Sequence, residues 1–289
     1  MHGVLGGFEL DHVLFGGDSL EEMETAFAEA GLFTEYGGPH GNGRTHNAVL
    51  GFTDGSYLEL IAPIDRDRRA PRRDDLLRGN AGPCGWALET SDIADAVDVF
   101  RKRGIEMDAP IELTRERPDG RHLRWKLAFP GDFGPGTFYP FLIEDITPRT
   151  DRIDPAAVTD APELTGLSKV LLGVQDRDVA YEKFTAAFGP LPDPEGFVLD
   201  GIEATVSEIP ETVLGLVSDG GSGPLGSRTD AYGQIPRSFL IGTADFDRSI
   251  ERFSISNVER YLDDRLAWLD VSGFPPASIG LLDGSDPSG

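Results

Sequence analysis

The sequence predicts an α+β protein assembled from four copies of a βαβββ module, the last of them truncated. Two observations predict it: a fifteen-residue segment that recurs four times without a gap, and strand-like apolar runs with Gly-rich turns behind the first two copies. The segments are VLFGGDSLEEMETAF from Val13, WALETSDIADAVDVF from Trp86, VLLGVQDRDVAYEKF from Val170 and FLIGTADFDRSIERF from Phe239. Their starts lie 73, 84 and 69 residues apart, too far for a solenoid and right for a small module.

Each copy opens on a three-residue apolar run that reads as a short strand. Ser19, Asp92, Asp176 or Asp245 follows at the position of a helix N-cap, where a side-chain oxygen satisfies the first free N–H groups. Leu20, Met23 and Phe27 then fall at helical spacing, giving one buried stripe, and the copies close on Phe27, Phe100, Phe184 and Phe253.

Behind the first helix come LFTEY, THNAVLGF and YLELIAPI, separated by the turns GGPHGNG and TDGS, which completes βαβββ. The second copy repeats this with GIEMDAPIEL, HLRWKLAF and TFYPFLIEDI. The third adds FVLDGIEATVSEI and TVLGLVSD, whereas the fourth shows only RLAWLDV and SIGLLDG, so the second half reads as degenerate. The expected organisation is a module pair over 1–150, a linker rich in Pro and Asp over 151–164, and a second pair over 165–289.

At 289 residues with 39% hydrophobic content the chain can bury a substantial core. Its formal charge is −24, and of its 26 basic residues only Lys102, Lys126, Lys169 and Lys183 are not arginine. That balance resembles proteins of salt-loving cells, where a short Debye length relieves carboxylate repulsion. It also opposes nucleic acid and anionic membranes as partners and leaves small molecules as the expected ligands, with room for a homo-oligomer. The lone Cys84 forms no internal disulfide and reads as a small packed side chain in a reducing interior. No signal-peptide pattern and no run of about 18 apolar residues occurs, so a cytoplasmic location is expected.

The LDHV first strand, THNAVLGF third strand and YLELIAP fourth strand, with DGRHLRWKLAFP and PFLIED in the second copy, resemble the glyoxalase-like branch of the vicinal oxygen chelate superfamily. The resemblance covers residues 8–145 and weakens beyond 165. It implies the glyoxalase, bleomycin-resistance and extradiol-dioxygenase fold, with modules paired around a half-open sheet. It also implies a divalent metal held by the first and fourth strands, here His12 and Glu59.

Strand alternation puts His12 with Leu10 and Leu14, Glu59 with Tyr57 and Ile61, and His46 with Ala48, Leu50 and Phe52. With the family's strand order, His12, His46 and Glu59 converge as a two-histidine, one-carboxylate set for iron, manganese or zinc, with Glu59 and His46 as the catalytic pair. A charged Glu59 inside YLELIAPI needs a partner, a proton or a metal in any case. Against the metal, the repeat puts Gly85, Lys169 and Ser238 where His12 stands and Phe141 where Glu59 stands.

Two readings therefore stay open. One is a metal-dependent lyase, isomerase or dioxygenase acting on a small oxygen-bearing molecule. The other is a metal-free protein that binds or sequesters such a molecule. In both, Trp125 and Phe141 form an aromatic wall across the cavity, and Asn47 and Arg44 join them as substrate contacts.

Other signals carry less. Arg66, Arg68, Arg69, Arg72, Arg73 and Arg78 form a basic island interleaved with aspartates, expected to pair with itself on the surface. Gly221, Gly223 and Gly226 match a dinucleotide fingerprint, but Pro224 interrupts it and no helix is expected behind it. His40, in the loop GGPHGNGR, is a candidate lid or proton carrier in what otherwise reads as a turn. His2 in a frayed terminus and His122 out of register are assigned no role.

Overall fold

A computed structural model describes residues 4–284 apart from 42, 66, 68, 70–72, 118–119, 132–137, 154–160 and 222. His2, Arg66, Arg68, Arg72 and half of the expected linker thus lie outside the described residues. The first half runs β1 (Val4–Leu5), β2 (Phe8–Gly16), α1 (Leu20–Glu29), β3 (Glu35–Pro39), β4 (Thr45–Gly51), β5 (Tyr57–Pro63), α2 (Asp74–Arg78), β6 (Gly82–Glu89), α3 (Ile93–Lys102), β7 (Ile111–Glu116), β8 (His122–Ala128), β9 (Phe141–Asp145) and α4 (Arg149–Arg152). The second runs β10 (Leu164–Gly173), α5 (Arg177–Phe188), β11 (Glu195–Leu199), β12 (Ala204–Glu208), β13 (Leu214–Ser218), α6 (Pro224–Tyr232), β14 (Pro236–Thr243), α7 (Phe246–Arg252), β15 (Ile255–Tyr261), β16 (Asp264–Leu269) and β17 (Ile279–Asp283).

All four expected caps form, with Ser19, Asp92, Asp176 and Asp245 each accepting a backbone N–H of the first helical turn. The stripes they position are buried: Leu20, Met23, Ala26 and Phe27 on α1, and Ile93, Ala96, Val97 and Phe100 on α3. Each half makes one curled sheet, in order β3-β4-β5-β2-β6-β9-β8-β7 and β11-β12-β13-β10-β14-β17-β16-β15. In every module the first strand lies parallel to the fourth and the fourth antiparallel to the third.

The fourth module therefore carries all five elements and is not truncated. Its β15, ISNVERY, is mostly exposed and polar, so it lacks an apolar signal. It joins β16 through a two-residue turn at Leu262 and Asp263, with Leu262 at φ 54°, rather than through a Gly-rich loop. A helix also follows the glycines near 223: α6 starts at Pro224, a residue suited to a first helical position. The Asp219 carboxylate accepts from Gly221 N and Gly226 N, so an internal anion already occupies that helix start.

The first strand of every module carries a register shift at the residue before His12 or its counterpart, at Asp11, Cys84, Ser168 and Arg237, and β10 has a further one at Thr165. Such a bulge turns the strand and breaks strict alternation. Leu10 consequently points into the helix-covered core, while His12 and Leu14 face the cavity, which corrects the expectation that His12 shares a face with Leu10.

One large core joins the helices to a face of both sheets, with Phe8, Trp86, Phe100 and Phe138 packed on Phe184 and Phe188 of α5. The other, concave faces differ. In the second sheet Leu171, Val206, Leu240, Tyr261, Leu266 and Trp268 fill the concavity. In the first sheet it stays open.

Candidate functional site

The open concavity has a volume of about 740 Å³. Its apolar wall is built from Val49, Leu113, Trp125, Leu127, Phe129 and Phe141, and its polar wall from His12, His40, Thr45, Asn47, Glu59 and Arg115. Trp125 and Phe141 both line the cavity. Asn47 also lines the cavity; Arg44, just before β4, does not.

His46 does not reach it. On β4 the cavity side carries Thr45, Asn47 and Val49, while Ala48 and Leu50 enter the core and His46 stacks edge-on against Tyr36. The reason is register. Val49 lies opposite Glu59 and His46 opposite Ala62, whereas Leu127 lies opposite Ile143 and Lys126 opposite Glu144. With Phe141 standing for Glu59, the counterpart of His46 is Lys126.

His40 takes the place expected of His46. Its Nε2 lies 3.0 Å from Glu59 Oε1 and its Nδ1 2.7 Å from Thr45 Oγ1. Asn47 Nδ2 donates to the same Glu59 oxygen at 2.8 Å. The other oxygen, Oε2, lies 3.7 Å from His12 Nε2. Burial opposes ionisation of Glu59, but the hydrogen bond and charge of His40 and the Asn47 amide hold the carboxyl well below its usual range, and His12 adds to this whenever it takes up a proton.

His12 is itself clamped. Its ring stacks on Tyr57 at 4.6 Å and meets Phe141 edge-on at 5.3 Å, and its Nδ1 bonds the carboxylate of Asp11. The bulge makes this contact between consecutive residues feasible. Asp11 is fully buried and receives two N–H groups of Arg152 at 3.0 Å each; Arg152 also grips Asp145 at 2.7 and 3.0 Å and Tyr57 Oη at 2.6 Å. Burial works against the Asp11 charge, yet Arg152, His12 and Arg149 keep it ionised. An ionised Asp11 fixes the Nδ1–H tautomer of His12 and leaves Nε2 facing the cavity as a proton acceptor.

Arg152 and Arg115 escaped the sequence reading. Arg152 lies in the stretch taken as a linker, and nothing in its local pattern marks it. Arg115 shares alternation with Leu113 in IELTRE, which is a usable signal once β7 is oriented. Of the basic island, Arg69 pairs with Asp74 and Asp75 and Arg78 with Asp74, as expected of a self-paired surface; Arg73 instead lines the cavity, its guanidinium 5.9 Å from the centre of the Phe141 ring. Cys84 is buried, and burial pushes its thiol up to about 11.

The donor set does not suit a metal ion as it stands. Among the described residues no group of three or more His, Cys, Asp or Glu is disposed to hold one. Glu59 Oε1 is spent on His40 and Asn47, and Gly85 and Phe141 stand at the second module's two ligand positions. That leaves one nitrogen and one oxygen, short of the three protein ligands of a catalytic site. In the second sheet Lys169, the counterpart of His12, is consumed by Glu208 and the Thr212 carbonyl, and Tyr261 donates to the same carboxylate.

Paired βαβββ modules, a first strand beside the fourth and a cavity between the two first-half modules define the vicinal oxygen chelate class of proteins. Within it, residues 10–188 match the glyoxalase-like domain family, and the chain belongs to that family. No curated protein matches the chain in sequence. Among solved structures it is similar to a hypothetical protein from Staphylococcus aureus, with 13% identity and a TM-score of 0.62 over 96% of this chain and 99% of that one. It is also similar to a mutant 4-hydroxymandelate synthase from Streptomyces coelicolor, with 12% identity and a TM-score of 0.58 over 100% and 95%. A third is 2,2',3-trihydroxybiphenyl 1,2-dioxygenase from Sphingomonas wittichii, with 12% identity and a TM-score of 0.53 over 96% and 90%. At such identities the likeness is one of fold. No helix among the described residues is long and apolar enough to cross a membrane.

Proposed function

We propose that the first-half cavity binds a small, largely apolar organic molecule through an O–H or acidified C–H presented to Glu59 and His12, and that it does so without a metal ion. The carrying observation is that Glu59, buried in an apolar cavity, is held ionised by side chains alone, above all His40 and Asn47. Glu59 Oε2 and His12 Nε2 are then both acceptors, so the complementary ligand is a donor. The chemistry on offer is proton transfer, with Nε2 taking a proton from the ligand while Asp11 stabilises the resulting imidazolium.

A metal-dependent enzyme is the second reading. It is favoured by the Asp11–His12 hydrogen bond, which orients the ring as a carboxylate orients a metal-binding histidine. It requires His40 to release Glu59.

Titration calorimetry with benzyl alcohol and toluene, on protein dialysed against EDTA, tests the proposal. The alcohol is expected to bind about tenfold more tightly, with the advantage lost in Glu59→Leu. Equal binding of the two probes, or alcohol binding that needs restored zinc, iron or manganese, overturns it. A cytoplasmic setting and a homo-oligomer belong to the same proposal and are read by fractionation and light scattering.

A further inference from the structure

Arg115 and Glu59 line one wall of the cavity with opposite charges, yet they do not pair. Asn47 stands between them, donating through Nδ2 to Glu59 Oε1 at 2.8 Å and accepting through Oδ1 from Arg115 Nη1 at 3.2 Å. That amide is the one side-chain hydrogen bond Arg115 makes among the described residues, and its Nε is buried without a partner. Arg152 a short way along the cavity shows the contrast, since it is saturated by two carboxylates and a phenol.

The spacer is built into the fold. β7 and β4 lie toward opposite ends of the curled sheet, and Arg115 crosses the gap between them to reach Asn47. Arg117 does the same toward Glu35 of β3 at 3.8 Å. Gly37 on β3 makes the crossing feasible, because a Cβ there would overlap Asn47 Oδ1 and come within 3.2 Å of Arg115 Nη1. A half-buried guanidinium facing an apolar cavity, with a carboxylate nearby but only a neutral amide to take its N–H groups, is costly unless an anion completes it. The planar fork of arginine suits a carboxylate in particular.

Resting on the proposed binding role of this cavity, we infer that its ligands are small organic carboxylates, the anion held by Arg115 and a neighbouring O–H or C–H turned to Glu59 and His12. An aryl or alkyl 2-hydroxy acid meets all three walls: carboxylate on Arg115, hydroxyl on Glu59, apolar group against Trp125 and Phe129. Asn47 keeps Glu59 from taking up the guanidinium N–H groups that receive the ligand.

The probes are mandelate and mandelamide, which differ in charge and share shape and hydroxyl. Calorimetric titration of the wild-type chain is expected to give mandelate an advantage of about 10- to 100-fold, the range of a charge-assisted bidentate contact. Arg115→Gln should abolish that advantage, so that the two probes bind alike; Arg115→Lys should keep part of it. Melting curves of each variant establish that it is folded. Equal affinity for the two probes in the wild type, or a preference that survives Arg115→Gln, overturns the inference while the cavity reading stands. Failure of both probes with benzyl alcohol still bound has the same meaning. Failure of all three removes the binding reading and this inference together.

Discussion

Glu59 sets the behaviour of the site at the scale of single residues. Its folded pKa is depressed below the unfolded value, so the ionised group stabilises the fold above the ordinary carboxylate range near pH ~4 and loses that contribution as the pH falls. Asp11 acts in the same direction. Glu59→Gln should therefore cost roughly 2 kcal/mol at pH 7, with the gap to wild type closing as urea melts are repeated toward pH 3. A gap that is constant with pH would show that Glu59 is not ionised in the fold. His12 and Glu59 were legible because each interrupts an apolar strand. His46 was misplaced because its partners Ala48 and Leu50 are core residues, so the histidine belongs to the helix side. Arg152 was illegible because its partner Asp11 lies 141 residues away, a contact that only the finished topology creates.

Element by element, the local rules held where the physics is local. A cap needs only an oxygen and the next three residues, and all four were readable. α5 is the informative one to disturb, since it is twelve residues long and carries Phe184 and Phe188 into the shared core. Asp176→Ala leaves Asp178 N and Val179 N without their acceptor and should cost about 1 kcal/mol, read as a lower urea midpoint with an unchanged slope. The bulges were not readable, because a bulge is a property of two strands. Asp11, Cys84, Ser168 and Arg237 share no side-chain chemistry, and only the pairing reveals their common place. The fourth module's polar β15 failed to register for a similar reason: it is held by its neighbour rather than by its own pattern.

For the whole molecule the dominant long-range force is self-repulsion from a net charge of −24. Local pairs such as Arg265 with Asp247 and Asp283 offset part of it at exposed sites. Salt shortens the Debye length from about 10 Å at 0.1 M to about 3 Å at 1 M and weakens the repulsion faster than it weakens close pairs. The melting temperature should rise by several degrees between 0.1 and 2 M potassium chloride; a flat profile would mean that the paired arginines already neutralise the surface.

The core that runs through both halves bears on how the two parts depend on each other. The second half fills the concave face of its sheet with its own side chains, yet its helix α5 supplies Phe184 and Phe188, on which Phe8, Trp86, Phe100 and Phe138 of the cavity-bearing half close. Cutting the chain near residue 155 would strip that aromatic seam from the half that holds the cavity. The two halves are thus expected to unfold in one cooperative step. The half with the filled concavity is thus the foundation on which the open cavity of the other keeps its shape.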